Sequence, residues 1–470
     1  MTDSQTALQN AWHQHQAGNI DAAETVYRDV IDQDPKNADA HVYLGIALFD
    51  RRHFQESADH YRTAIQLRHQ FPIAWNNLGN SLRLLGQVEE SDRCFEEALI
   101  QQPRYLSALK NRGSLWLWSG EIERGLHWYQ QGLAIDPDNA ELHRNLGVIE
   151  LLRGNYSVGW REYRWRWKMP GLQRPKTHAT HWAGQELIGK TFLLYPEQGL
   201  GDAIQFVRVA KQLKSLGAEV ILQCSPKLID LFSSTTTSLG VDRLVQDTGA
   251  SPPTDYHASM IDVVDTLFSQ TGKMCFGRDL FTDGAGYLCV SEALMEYWRL
   301  WFDGQQDAGR KLRIGINWQG NPEHHADVYR SAPLAVFEPL ASLPNVQLFN
   351  LQFGHGSEQL DSCDFASKIL RLPDDVDSQS AFTDTVAIIA GLDHVVTTDT
   401  AIAHLAGAVG EVPVHLMLSQ VPDWRWLLDG DRTEWYPTTT LYRQQNFGRW
   451  DDVMARIVEQ IEQRPRAASR

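Results

Sequence analysis

The sequence predicts an α-helical repeat array followed by an α/β region in two halves. Three observations carry that expectation. Glycines recur 34 residues apart through the first third of the chain, at Gly45, Gly79, Gly113 and Gly147. From Thr191 the pattern changes to short apolar strand, glycine-bearing turn, helix and second strand, and at Lys311 a strand-and-loop pattern of the same kind starts again. A length of 470 residues has room for about three domains of ordinary size.

In the first third, Pro35, Pro103 and Pro137 keep the same interval as the glycines, with His69 in the empty slot. Gly18, Gly86, Gly120 and Gly154 mark the turn between two helices, and Tyr27, Tyr61, Phe95, Tyr129 and Tyr163 mark one packing position of the second helix. This pattern resembles the tetratricopeptide repeat. About five units, near 4–37, 38–71, 72–105, 106–139 and 140–173, fill a domain spanning 1–173. A single helix pair cannot bury its own apolar face, so stacking supplies the core and winds the array into a superhelix. The concave face of such an array takes an extended peptide or a partner protein; a rigid spacer or dimerisation arm is the other use. Asn76, Asn77, Asn80, Asn111 and Asn145 lie on first helices and are the candidates for hydrogen-bonding a peptide backbone. The last unit departs from the pattern, with tryptophans and arginines crowded between Trp160 and Trp167, as an end cap stiffened by cation–π contacts would be. A linker at 174–183 follows.

The first α/β half, 184–305, opens with the strand Thr191–Tyr195. The loop through Gly199, Gly201 and Asp202 leads to a helix over Ala203–Leu216, and Ala218–Gln223 is the next strand. GLGD lacks the full GxGxxG spacing, so it is a poor dinucleotide fingerprint and reads equally as a tight turn. Asp255-Tyr256-His257 and Ile261–Phe268 continue as strand-to-helix material, with His257 either structural or facing a ligand.

The second half, 306–470, runs from the strand Leu312–Trp318 through a polar loop, Gln319–Ser331, to a strand at Val346–Leu351, a helix at Ala381–Ala390 and a strand at His394–Thr397. The stretch Val395–Leu416 is the most informative in the chain. Thr397-Thr398-Asp399-Thr400 offers side-chain oxygens to cap the small-residue helix Ala401–Val409, and Gly410 ends it. The free amides at such a helix start form an anion site of the size of a nucleotide-sugar's diphosphate; a plain, well-capped crossover has the same pattern. His404 lies one turn beyond Thr400 on the same face of an otherwise apolar helix. An amphipathic helix at Trp450–Arg464 closes the chain. Two such halves leave a cleft, with ligands expected at the C-terminal ends of their strands.

Composition narrows the classes of partner. The net charge of −16 disfavours nonspecific binding to nucleic acid or anionic membranes. No apolar run approaches the ~20 residues of a membrane span, and the first residues lack a basic segment followed by an apolar core, so a cytoplasmic protein without a transmembrane segment is expected. Cys94, Cys224, Cys275, Cys289 and Cys363 form no CxxC pair and are expected to be reduced core residues, with neither zinc nor disulfides. His324-His325 are adjacent, so their side chains do not point at one ion and no metal is expected. Sixteen tryptophans are many for this length and mark either core or interface.

Taken together, Trp182-Ala183-Gly184, EQGLGDAIQFVR at 197–208, GINWQGNP at 315–322 with Arg330-Ser331, DTAIAHLAGAVG at 399–410 and PDWRWLLDGDRTEWYP at 422–437 are similar to the bacterial tetratricopeptide-repeat glycosyltransferases whose catalytic part resembles glycosyltransferase family 9, the heptosyltransferases. The resemblance implies a GT-B fold of two Rossmann-like domains, with the acceptor on the first and a nucleotide-diphosphate sugar on the second. It implies inverting, metal-independent hexosyl or heptosyl transfer without a cofactor. It makes Asp202 the general base, a residue whose other reading is a helix cap. It carries the donor site onto Asp399, Thr400, Ala401 and His404, with Arg330 and Ser331 after the first strand of the second half; Arg330 also reads as an ordinary ion-paired surface residue. The acceptor would be a protein or glycan recruited by the repeats, an architecture shared with the O-GlcNAc transferases. The alternative is an interaction scaffold whose nucleotide-binding module has lost catalysis. Donor, acceptor and oligomeric state are not written in the sequence.

Overall fold

A computed structural model describes residues 3–197, 199–281, 285–305, 311–324, 326–378 and 380–463. The chain forms two compact units. One is built from the residues up to Leu151 with Arg161–Arg166, the other from Leu152–Trp160 and from Trp167 onward. Gln198, His325 and the 305/306 domain boundary fall on or beside residues outside those described. Among the described residues no helix is long and apolar enough to cross a membrane.

The first unit is a run of paired helices: α1 (Asp3–Gln16), α2 (Ile20–Gln33), α3 (Ala38–Asp50), α4 (Phe54–Leu67), α5 (Pro72–Leu84), α6 (Val88–Gln101), α7 (Leu106–Trp118), α8 (Ile122–Ile135) and α9 (Ala140–Leu152); of α10 (Tyr156–Tyr163), which follows, the residues up to Trp160 belong to the second unit. The two sequence intervals meet in space. A Cβ at Gly45, Gly79 or Gly113 would stand 2.7, 2.7 or 2.5 Å from the rings of Tyr61, Phe95 and Tyr129 respectively. Each first helix therefore accepts the aromatic ring of its own second helix, and only glycine leaves the space. A second contact repeats with it: Ser57 and Ser91 donate to the carbonyls of Gly45 and Gly79 at 2.7 and 2.6 Å, and Gly125 takes the same place against Gly113. The turn glycines Gly18, Gly86, Gly120 and Gly154 all have φ between 74° and 89°. The slot missing from that series is filled by Arg52, forced to φ 65° by the same helix–turn–helix geometry.

The second unit carries two parallel sheets. The first contains β1 (Thr180–His181), β2 (Thr191–Tyr195), β3 (Glu219–Cys224), β4 (Arg243–Gln246) and β5 (Tyr256–Ser259), in the spatial order β1-β5-β2-β3-β4. The second contains β6 (Leu312–Asn317), β7 (Val346–Asn350), β8 (Ile369–Leu370), β9 (His394–Thr398), β10 (Val414–Leu418) and β11 (Thr439–Arg443), in the order β11-β10-β9-β6-β7-β8. Their interior strands are buried on nearly every residue, as parallel strands covered on both faces must be. The intervening helices are α11 (Leu200–Phe206), α12 (Val209–Ser215), α13 (Ile229–Ser233), α14 (Thr236–Leu239), α15 (Met260–Thr271), α16 (Glu292–Gly304), α17 (Asp327–Arg330), α18 (Glu338–Ala341), α19 (Thr383–Ala390), α20 (Ala401–Val409) and α21 (Asp451–Gln463).

The helix expected over Ala203–Leu216 starts three residues earlier and breaks at Val207-Arg208. At the break Arg208 Nε donates to the Gln205 carbonyl at 2.6 Å, and the amide of Ala210 turns back to Val207. The cysteines also differ from expectation. Cys94 and Cys224 are buried, Cys275 and Cys363 are half-buried, and Cys289 is exposed. Of the tryptophans, Trp160, Trp424 and Trp435 gather with Phe206 into one aromatic core of the second unit, Trp160 meeting Trp424 edge-on at 5.4 Å.

Candidate functional site

Each sheet reverses its winding once, and the reversals locate the site. In the second sheet β7 and β8 are added on one side of β6, and β9 then returns to the other side. In the first, β3 and β4 lie on one side of β2 and β5 on the other. A crevice opens at such a point beyond the strand ends. Asn317 ends β6 there, and Thr398 ends β9.

The buried Asn317 organises the second half's crevice. Its Oδ1 accepts from the Thr400 hydroxyl at 2.8 Å and from the Thr397 hydroxyl at 3.2 Å, and its Nδ2 donates to Gln352 at 2.8 Å. This corrects the expected capping role. Thr400 is the N-cap residue of α20 by its extended backbone, but its hydroxyl makes no cap bond to the helix amides. Asn317 is the stronger claimant for that hydroxyl. The first-turn amides of Ala401 and Ile402 are thus left without a side-chain cap from Thr400, which is what an anion site needs.

In the first half, Gly199 is the extended N-cap residue of α11, and the Asp202 carboxylate reaches back to its amide, the reciprocal arm of a capping box. Asp202 therefore lies inside the first turn of the helix, not ahead of it. Neither Gly199 nor Gly201 adopts a positive φ. Gly201 is needed for close approach: a Cβ there would come within 2.9 Å of His404 Cδ2 and 3.5 Å of Ala401 Cα. The pair GLGD and DTAIAH, far apart in sequence, thus touch directly through α11 and α20.

Arg425 completes the contact. It lies in the single 3-10 turn Trp424–Trp426, whose N-cap, Asp423, accepts from the Arg425 amide at 3.0 Å and from its guanidinium at 2.7 Å. The other guanidinium arm donates to the Asp202 carboxylate of the first half. Phe206 and Trp424 flank the guanidinium at 4.9 Å each. The turn is held by Trp435 Nε1 on the Arg425 carbonyl and by Arg443 on the Trp426 carbonyl. It is followed by Leu427 at φ 58° and ψ −179°, a backbone region that glycine ordinarily occupies. Such strain persists only where the surroundings over-determine it.

Several titratable side chains share this space. Burial raises the pKa of Asp202 above its usual value, opposed by Arg425 and reinforced by Asp423. Burial, with Asp423 beside it, pushes Asp399 up to about 6, while Arg330 opposes the shift. Burial also acts to raise Asp423, but Arg425 more than offsets it and holds the carboxyl below its ordinary value. His404 is buried, stacked on Trp426 with ring centroids 5.6 Å apart, and its Nδ1 pairs with the Tyr436 hydroxyl at 3.0 Å. Burial and then the Arg425 charge bring its pKa down to about 3, so it is a neutral hydrogen-bonding group at pH 7.

The remaining sequence candidates divide. Arg330 is one-fifth exposed, pairs with Asp327 at 3.4 Å, and lies close enough to bias Asp202, Asp399 and His404 electrostatically. The Ser331 hydroxyl is engaged within the loop, bridging the Gly320 amide and Asp327 at 3.0 and 2.9 Å, and so shapes the loop beneath Arg330. His257 is structural, buried between β1 and β2 with its Nδ1 on the Tyr195 hydroxyl at 3.1 Å and the His181 ring edge-on at 5.4 Å. On the repeats, Asn76 is buried and spent internally, accepting from Asn111 and donating to Asn77; it is not available to a peptide. Asn77, Asn111 and Asn145 repeat at one position of α5, α7 and α9 and are half-buried, Asn145 accepting from Arg144 at 2.8 Å. Asn80 is half-buried too, with Oδ1 lacking a partner among the described residues.

Asn317, Asp423, Arg425, Trp426 and Tyr436 had no assigned role from sequence. The available signals were a polar residue ending an apolar strand in GINW and an arginine between two tryptophans in DWRW. Neither says what it faces.

Comparison with known proteins matches both units. The tetratricopeptide-repeat family model matches residues 8–72 and again 72–105. Protein FlbA of Caulobacter vibrioides is 25% identical over 438 residues, covering 88% of this chain and 71% of its own. The Hsp70-Hsp90 organizing protein of Triticum aestivum is 27% identical over 126 residues, 26% of this chain and 22% of its own. The tetratricopeptide repeat-containing protein trd-1 of Caenorhabditis elegans is 24% identical over 176 residues, 32% and 23% of the two chains. Among solved structures, the tetratricopeptide-repeat protein TTC0263 of Thermus thermophilus is 18% identical with a TM-score of 0.33, covering 36% of this chain and 91% of its own. MamA is 16% identical with a TM-score of 0.30, covering 34% and 92%. By the family-model matches the N-terminal part of the chain carries tetratricopeptide repeats, a protein-interaction architecture, and the similarity to FlbA runs on through the α/β region.

Proposed function

We propose that the α/β region is a GT-B-type glycosyltransferase that moves a sugar from a nucleotide-diphosphate sugar to a protein or glycan acceptor brought by the repeats, with inversion and without a metal. The observation that carries this reading is the meeting of the Asp202 turn and the Asp399–His404 helix start at the crevices of two doubly wound sheets. The diphosphate lies at the uncapped amides of Ala401 and Ile402, where the α20 dipole favours negative charge. Arg330 and Arg425 supply the positive charge that stabilises the departing diphosphate. Asp399 and neutral His404 take hydrogen bonds with the sugar hydroxyls. The acceptor oxygen attacks the anomeric carbon from the first half's side as the bond from that carbon to the phosphate oxygen breaks. The bonding pair leaves on the diphosphate, and the hydroxyl proton passes to the Asp202 carboxylate, whose raised pKa suits a base.

One observation favours the second reading, a nucleotide-binding scaffold without turnover: the proposed base is ion-paired. A melting screen against UDP, ADP, GDP, CDP and their common sugars separates the two. A ligand at about 100 times its Kd stabilises by about 2.7 kcal/mol. Under the transferase reading, one nucleotide family stabilises both wild type and Asp202→Ala, and only wild type cleaves the sugar nucleotide. Stabilisation with no cleavage supports the scaffold, and equal cleavage by the two proteins removes Asp202 from the role of base. No stabilisation by any nucleotide removes the nucleotide reading altogether.

A further inference from the structure

We propose that Arg425 is a shared cation that the donor diphosphate draws from Asp202, so that donor binding itself releases the base. The inference rests on the transferase reading for its purpose, but its physical core concerns only Arg425, its two carboxylates and a diphosphate. One guanidinium arm is held by Asp423 at 2.7 Å and the other by Asp202. The side chain is buried, flanked by Phe206 and Trp424, so it cannot swing into solvent to find another partner. Its backbone is fixed by the Asp423 cap, by Trp435 and by the strained turn at Leu427. Within these restraints the guanidinium can exchange one partner for another across a short distance.

A carboxylate in a charge-assisted bond to an arginine has one oxygen engaged and is stabilised as the anion, which opposes taking up a proton. Asp202 in that pair is a weaker base than its burial alone would make it. A diphosphate competes for the same guanidinium with more negative charge and bidentate oxygens. Its site at the start of α20 is next to Asp202, because Gly201 lies against Ala401 and His404. When Arg425 turns to the phosphate, Asp202 loses its counter-charge in a partly exposed site beside the Asp423 and Asp399 carboxylates, and proton uptake from the acceptor hydroxyl becomes favourable. The same movement puts the cation on the leaving group. Premature activation of the base is avoided, and donor binding precedes acceptor activation.

This arrangement predicts a gain that loss of structure does not produce. Removing a competing carboxylate must tighten diphosphate binding, even though one of them is the base. The test is calorimetric titration with inorganic pyrophosphate, which needs no knowledge of the nucleobase, and with UDP, ADP, GDP and CDP, on the full chain. Asp202→Asn is expected to bind pyrophosphate about 10-fold tighter than wild type and Asp423→Asn several-fold tighter, while Arg425→Gln binds it at least about 10-fold more weakly. If Asp202→Asn does not fold, Asp423→Asn reads the same competition. Unchanged or weaker pyrophosphate binding in every folded Asp202 or Asp423 variant overturns the proposal, as does Arg425→Gln binding like wild type. The two readings fail separately. If nucleoside diphosphates bind but the carboxylate variants do not tighten, the partner exchange is wrong and the transferase reading stands. If pyrophosphate tightens as expected while no nucleoside diphosphate binds better than it, the exchange stands and the transferase reading is wrong.

Discussion

The state of His404 gives a sharp quantitative test of the site. Its imidazole has an ordinary pKa of 6.5 and is brought to about 3 in the fold, first by burial and then by the Arg425 charge. The unfolded chain therefore binds a proton at this residue that the folded chain refuses between those two values. Stability is full above about pH 6.5 and is lost as the pH falls below it. Between about pH 7 and pH 5 the refused proton costs about 2 kcal/mol. Asp399 works in the opposite sense: its pKa rises from 3.8 to about 6, so the penalty it imposes at high pH relaxes on acidification. That returns roughly 1.3 kcal/mol over the same interval. The wild-type slope alone is thus a difference of terms, and His404→Gln isolates one of them, since glutamine keeps a donor and an acceptor for the Tyr436 hydroxyl. Urea melts of both proteins at the two pH values should show wild type losing about 2 kcal/mol more than the variant. The other buried histidine brought to about 3, His415, is present in both and cancels. Equal losses in the two proteins would refute a neutral, desolvated His404. A wild-type nucleotide affinity with a limb near pH 6.5 that vanishes in His404→Gln would refute it too.

Two substitutions test the scaffold around the site. Arg52→Gly removes the one non-glycine residue from the left-handed inter-helix turn of the repeats; after allowing for the greater freedom of glycine in the unfolded chain it should stabilise by ~0.5–1 kcal/mol, and a melting midpoint at or below wild type would show that Arg52's other interactions outweigh the backbone cost. Arg208→Met removes a fully buried guanidinium that donates to the carbonyls of Gln205, Phe276 and Trp435 and to the Tyr287 hydroxyl. Orphaning those acceptors should cost about 3 kcal/mol in denaturant melts, with Arg208→Lys intermediate because an ammonium cannot span the fork; a loss under about 0.5 kcal/mol would show that water replaces it freely.

Much of the local structure was legible along the chain. Helix Ala401–Val409 and strand Thr191–Tyr195 have the boundaries their sequences suggest, the first an alanine-rich run ended by Gly410 and the second a short apolar run of threonine, leucine and aromatic residues. The repeat interval was readable because neighbouring units must bury the same face. Less was legible at the site. Thr400 has the sequence of a cap, yet its hydroxyl goes to Asn317, 83 residues away. Ser331 stands beside Arg330 in sequence but faces the loop beneath it. Asn76 and Asn77 look interchangeable on a helix, and burial separates them.

Asp202 and Asp399 are singled out by motif resemblance, while the helical repeats, the alternation of strands and helices, and His404 as one imidazole in an otherwise apolar helix follow from the order of residues. They are consequences of short-range periodicity and of the cost of burying a polar group without a reason. That Gly201 is a contact residue, and that Arg425 holds Asp202, emerges from the packed molecule alone. Both depend on which strand ends the two sheets bring together, and strand order is set by long-range packing, which leaves no periodic trace along the chain. An ion pair spanning 223 residues is invisible to any local pattern, because either partner alone reads as a charged residue in a turn.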